Sequence, residues 1–282
     1  MSRTPKSLAH RSLALAVALA TCTTGALAAC GDDDDATDTT TTTAAQTAPP
    51  EDTTETTADE DPESASPAAF CDAYVETTIM MNSEPDPAAL TENVELIDAN
   101  APAEIADSAA VMTAAVRKVL ESGGQDFSPF ETPEYSAAQA EVDPFVFENC
   151  EFDAAIEVTG LDFSFDGLPD TMEGGRTAIL FTNEGAESHE IAIMRRNDGV
   201  TESFEDLLAL PEEEAMAKVT PVSGAFAPST GSQALLVGDF EPGDYIAICF
   251  VPVGTTLNDE GMTEGTGEPH FMHGMQQEFT VS

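Results

Sequence analysis

From Gly31 to Ser66 the sequence has no aromatic residue and no large aliphatic one, while twelve of its residues are acidic. Such a stretch cannot bury enough apolar surface to offset the entropy of ordering its backbone, so residues 30–66 are expected to form a disordered, acidic, Thr-rich linker. Packing is thereby confined to residues 67–282. That part divides again at Cys150, where the period of the apolar residues changes.

Ahead of the linker, Arg3, Lys6 and Arg11 precede the apolar run LALAVALA, which starts at Leu13. The run is too short to span a bilayer, and residues 1–29 read as a secretory signal peptide. Leu27-Ala28-Ala29-Cys30-Gly31 resembles the bacterial lipoprotein signal. That resemblance implies a lipidated Cys30 as the mature N-terminus and an extracytoplasmic protein anchored to the cell membrane, held stably by two or more acyl chains. Three of the nine Lys and Arg lie in the leader, so six remain against 53 acids, a formal charge of −47. Nucleic acid is therefore excluded as a partner, because phosphate binding needs basic groups that release counterions. Self-repulsion on this scale also calls for screening by salt, the expectation for a saline habitat.

Residues 67–150 carry apolar residues at helical spacing in PAAFCDAYVETTIMM, PAALTENVELIDANAP, APAEIADSAAVMTAAVRKVL and YSAAQAEVDPFVFENC. A small four-helix bundle is expected. Cys71 in its first helix and Cys150 at its end bracket the unit, and in an oxidising compartment they pair as a disulfide. With no histidine and few bases, this part is given a docking or spacer role by exclusion.

Residues 151–282 switch to short β-rich segments such as AAIEVTGLDFSF, RTAILFTNEG, HEIAIMRR, QALLVGDF, DYIAICFVP and QEFTVS, separated by Gly, Pro, Asp or Asn. At that density they predict a β-sandwich. The exception is residues 202–219, ESFEDLLALPEEEAMAKV, expected as one or two helices crossing an edge. GxGxxG, GxxxxGK and HExxH are absent, so nucleotide and zinc-protease chemistry lack support.

Beyond the leader the chain holds three histidines, His189, His270 and His273, all in this last part together with the unpaired Cys249. Alternation in DYIAIC puts Tyr245, Ala247 and Cys249 on one face, so the thiol points into the sandwich. Taken singly, Cys249 reads as a small buried hydrophobe and His189 as a hydrogen-bonded structural residue. Together, a thiolate, two imidazoles and a thioether make a copper-binding set.

Their order along the chain resembles a cupredoxin, the family of plastocyanin and azurin. His189 follows a strand and the small-residue turn FTNEGAES, Cys249 ends DYIAIC, and His270 and Met275 stand in PHFMHGM with four residues between them before the last strand. The resemblance implies an antiparallel β-sandwich that binds one copper ion through His189, Cys249 and His270, with Met275 as the long axial ligand, and passes one electron to a redox protein. Met272 and His273 are secondary candidates, and Tyr245 and Phe250 are expected to keep the site dry. No enzyme activity is expected, and a monomer is. One departure stands out: twenty residues, Phe250–Pro269, separate Cys249 from His270, where family members have only a few. Two other readings stay open at this point. One is Cu(I) delivery by a soft cluster of His270, Met272, His273, Met275 and Met262; the other is a metal-free, protein-binding surface lipoprotein.

Overall fold

The computed structural model describes residues 66–82, 85–258 and 261–282. The leader, the lipidation candidate Cys30 and nearly all of the linker lie outside them. Among the described residues no helix is long and apolar enough to cross a membrane.

Four helices come first: α1 Pro67–Met81, α2 Pro87–Asn100, α3 Ala106–Glu121 and α4 Pro133–Asn149. Three of them start the same way, with a short polar N-cap before a proline. Ser66, Asp86 and Thr132 accept from the backbone N–H of Ala69, Ala88 and Tyr135, while Pro67, Pro87 and Pro133 fill the first helical position, where no N–H is needed. The expected disulfide is present: Cys71 and Cys150 bond across a Cα–Cα distance of 5.5 Å and tie α1 to the end of α4. Closing a loop of 79 residues stabilises the fold by about 4 kcal/mol on chain-entropy grounds.

The strands follow: β1 Ala154–Leu161, β2 Ser164–Asp166, β3 Thr171–Met172, β4 Gly175–Asn183 and β5 His189–Arg196. Two short helices, α5 Phe204–Leu208 and α6 Glu212–Met216, lead to β6 Val219–Ala227, β7 Gln233–Phe240 and β8 Gly243–Ile248. A small hairpin, β9 Thr256–Asn258 and β10 Gly261–Thr263, precedes β11 Gln276–Val281. The main strands form two sheets, of order β2-β1-β4-β7 and β3-β11-β8-β5-β6. Between them Ile179, Phe181 and Leu236 of the first sheet pack with Ile191, Ala247 and Phe279 of the second.

The sandwich is mixed, which corrects the expectation of an antiparallel one: β1 runs parallel to β4, and β3 parallel to β11. After β2 the chain crosses to the other sheet to lay β3 beside β11. It then begins β4 at the end where β1 began, so the two strands point the same way.

Both outer faces are covered. Ala178 of β4 and Leu235 and Val237 of β7 pack into the core of the helical bundle with Phe70, Val142 and Val146. On the other side, Met194, Ile246 and Ile248 lie under Phe204 and Leu207 of α5, so the segment 202–219 makes two helices that cap a face. Coverage on both faces explains why AILF and ALLV read as unbroken apolar runs. The bundle also protects an edge: Asp143 of α4, 2 % exposed, accepts from the Tyr74 hydroxyl and, at 2.7 Å, from the Leu235 N–H of edge strand β7.

Candidate metal centre

The chain leaves β4 at Asn183 and enters β5 at His189, and the turn between is built around the buried Asn183 side chain. Its Nδ2 donates to the carbonyls of Glu187 at 2.7 Å and Ala227 at 3.0 Å, and its Oδ1 accepts from Gly185 N at 2.8 Å. Glycine is required at 185, because a Cβ there would lie 2.2 Å from Nε2 of His189. The imidazole is thus seated against bare backbone with Nδ1 turned inward.

Cys249 is the first residue after β8. Its N–H donates to the Met275 carbonyl at 3.1 Å, its carbonyl accepts from Phe271 N at 3.0 Å, and its Sγ accepts from Glu190 N at 3.5 Å. His270 opens a 3-10 turn, His270–His273, that closes on Gly274 at φ 113°, a left-handed conformation that favours glycine. That reversal turns Met275 inward, where it is fully buried in the sandwich core.

The long Cys249–His270 connection does not loosen this arrangement, because hydrogen bonds pinch it off at its root. His270 N donates to Val251 O at 2.9 Å, Val253 N to Glu268 O at 3.1 Å, and Pro252 faces Pro269 in a β-bridge. The excursion beyond them contains the β9–β10 hairpin, and Ser188 N holds it to the ligand turn through Thr255 O at 2.8 Å.

Nδ1 of His189 and Nδ1 of His270 stand 3.0 Å apart, and Sγ of Cys249 lies 3.5 Å from the latter. The ligand atoms of the three residues all lie within 4.8 Å of one another, and each residue is 0 % exposed. The secondary candidates fall elsewhere: Met272 is 59 % exposed and His273 lies at the surface near Glu268. Tyr245 stacks on Phe279 deep in the core, four residues up β8 from Cys249, and Phe250 packs against Phe271. The ring that closes over the site is Phe163, edge-on to His270 at 5.2 Å. It sits in the β1–β2 turn at φ 63°, a strained conformation for a bulky residue.

Three acids near the site had no mark in the sequence. Glu187 Oε2 accepts from His270 Nε2 at 3.1 Å, and Asp162 Oδ1 stands 3.9 Å from His189 Nε2, a buried nitrogen with no hydrogen-bond partner. Glu190 accepts from Phe250 N at 2.7 Å, and burial pushes its carboxyl up to about 7. Burial, and then the neighbouring His270, brings His189 down to about 4; burial also lowers His270, against the pull of Glu187. Both rings are neutral at neutral pH. Burial, and then Glu190, raises the Cys249 thiol to about 12, so it ionises only when a bound cation displaces its proton.

The donor set fits such an ion. Nitrogens 3.0 Å apart, with a sulfur 3.5 Å from one of them, can each reach a single ion at ordinary bond lengths of about 2.0–2.3 Å. Two imidazoles and a thiolate beside a buried methionine suit copper in both oxidation states. The His189–Cys249–His270 cluster can hold a metal ion.

No protein-family model matches the chain, and no curated protein sequence matches it. Similar solved structures include dithionite-reduced auracyanin from the photosynthetic bacterium Roseiflexus castenholzii, 17% identical over 46% of this chain and 96% of that one, with a TM-score of 0.30. Rusticyanin from Thiobacillus ferrooxidans is 15% identical over 45% and 77% of the two chains, with a TM-score of 0.29. A multicopper oxidase is also similar, 15% identical over 47% of this chain and 45% of that one, with a TM-score of 0.24. In its two facing sheets, and in the order of His189, Cys249, His270 and Met275 along the chain, the C-terminal part of the chain fits a cupredoxin domain.

Proposed function

We propose that the protein is a membrane-anchored, extracytoplasmic electron carrier that binds one copper ion through His189, Cys249 and His270, with Met275 as the long axial ligand. The observation that supports this most directly is the convergence of two Nδ1 atoms and one Sγ in a fully buried pocket at the end of the sandwich. When bound, copper supplies one-electron redox chemistry. The chain's part is to hold neutral imidazoles in place, to keep water out with Phe163 and the core, and to release the thiol proton on uptake. Full burial of the donors leaves no open face for a substrate, which favours a carrier over an enzyme. It also favours electron transfer over Cu(I) delivery, because the exposed Met272 and the buried Met275 do not form one soft cluster.

Around the site the charged side chains are acidic, Asp162, Glu187 and Glu268, whereas Arg176, Arg195, Arg196 and Lys218 lie at or beside the opposite strand ends. A redox partner with a basic docking face fits that distribution. The anchor is the acylated Cys30. The test is the visible spectrum and metal content of the copper-loaded protein. One copper per chain and an intense thiolate-to-Cu(II) absorption, lost in Cys249→Ser, are expected; a colourless protein that takes up no copper rejects the reading. Release of the Cys30→Ala protein from membranes tests the anchor separately.

A further inference from the structure

The two histidines of the cluster are not equivalent, and the difference lies in a residue outside the donor set. Glu187 stands two positions before His189, in the turn that joins β4 to β5. Its carbonyl is fixed by Asn183 Nδ2 at 2.7 Å. Its carboxylate oxygen Oε2 takes two hydrogen bonds, from His270 Nε2 at 3.1 Å and from Gly254 N at 2.5 Å. One side chain thus joins the His189 turn, the His270 ring and the start of the insertion.

A carboxylate only accepts, so the proton on His270 is at Nε2 and the lone pair at Nδ1. That lone pair faces Nδ1 of His189 at 3.0 Å and Sγ of Cys249 at 3.5 Å. In the metal-free protein only one proton fits between the two Nδ1 atoms, and it must come from His189. The unpartnered Nε2 of His189, with Asp162 as its nearest acid at 3.9 Å, is what that assignment leaves.

Resting on the copper reading above, we propose that Glu187 is a positioning residue: it presets His270 as an Nε2–H tautomer ready to bind the ion and clamps the insertion to that ring, so that His189 alone changes tautomer on metal binding. Proton balance follows directly. The His189 proton moves from Nδ1 to Nε2, toward Asp162, as Nδ1 takes the ion, and the Cys249 proton leaves to solvent.

The experiment is long-range 1H–15N correlation of the imidazole nitrogens in the 15N-labelled full chain, metal-free and loaded with diamagnetic Zn(II). His270 should read Nε2–H in both states, while His189 should shift from Nδ1–H to Nε2–H. Glu187→Ala should mix the His270 tautomers and weaken Zn(II) binding about 10- to 100-fold. Glu187→Gln, which keeps an acceptor oxygen, should restore both. A purely structural role would lower the melting temperature without moving either tautomer. His270 protonated at Nδ1 in the metal-free wild type overturns the proposal even where Glu187→Ala does not fold. So does a Glu187→Ala protein that folds with an unchanged tautomer and affinity. A colourless Cu(II) protein, in contrast, removes the copper reading and leaves the tautomer result standing.

Discussion

Single residues set the tolerances of the site. Gly185 has no positive φ to accommodate, so its only requirement is space, and an added methyl collides with the His189 ring. Gly185→Ala is expected to lower copper affinity about tenfold or more while leaving the far-UV circular dichroism unchanged, a loss in the range caused by disturbing groups that orient ligands. Titration of copper into the variant checks this, and wild-type affinity would refute it. Asp143 makes a second prediction, away from the metal. Burial raises its carboxyl from 3.8 to about 6, with the bonds from Tyr74, Leu235 and Gln139 pulling the other way. The folded state therefore binds this proton more tightly than the unfolded one. Stability rises as pH falls through about 6, and the gain is complete only below the unfolded value near 3.8, at about 3 kcal/mol in total. Glu190, raised to about 7, contributes with the same sign. Urea unfolding at pH 7.5 and pH 5 should show the wild type gaining more than Asp143→Asn, by about half of that total; equal gains would count against the assignment.

At the scale of elements, the pinched root of the insertion makes a direct prediction. Replacing Gly254–Gly267 with an Asn-Gly turn keeps the bonds between Val251 and His270, Cys249 and Phe271, and Val253 and Glu268. The copper-loaded variant should keep the visible band of the parent with somewhat weaker binding, because Glu187 loses Gly254. Loss of the band would mean that the insertion itself shapes the centre. Strand ends and the convergence of the candidate donors were legible in the sequence because Cys249 and His189 stand at the margins of clear alternating runs. The closed root was not, since backbone pairing between Val251 and His270 leaves no mark in side-chain type. Strand β6 was also hidden. Pro221, Ser223 and Gly224 weaken any strand signal, yet they are tolerated because β6 is the edge of its sheet and its pairing with β5 shifts register between Ile193 and Met194. Glu187 and Asp162 could not be singled out in a chain with 53 acids. The runs AILF and ALLV do announce strands covered on both faces.

For the whole molecule, the helices and the sandwich share one apolar layer, so neither part is a free-standing bead. A chain starting at Glu151 would expose Ala178, Leu235 and Val237 and strip the Leu235 N–H of its acceptor. Each large side chain so exposed forfeits about 1.5–3 kcal/mol of burial. That fragment is expected to melt well below the full chain and to self-associate in size-exclusion chromatography, whereas a monomeric fragment of unchanged melting temperature would show the layers to be independent. The Cys71–Cys150 bond roots the start of α1 beside the start of β1, next to Arg176 and its partner Glu76. The histidines open at the far tips of those strands, roughly 23 Å of β-strand away from Arg176 to Asn183. Arg176, Arg195, Arg196 and Lys218 thus sit at one end of the sandwich and the candidate donors at the other, so a basic surface can approach the donor end without meeting a like charge of the sandwich.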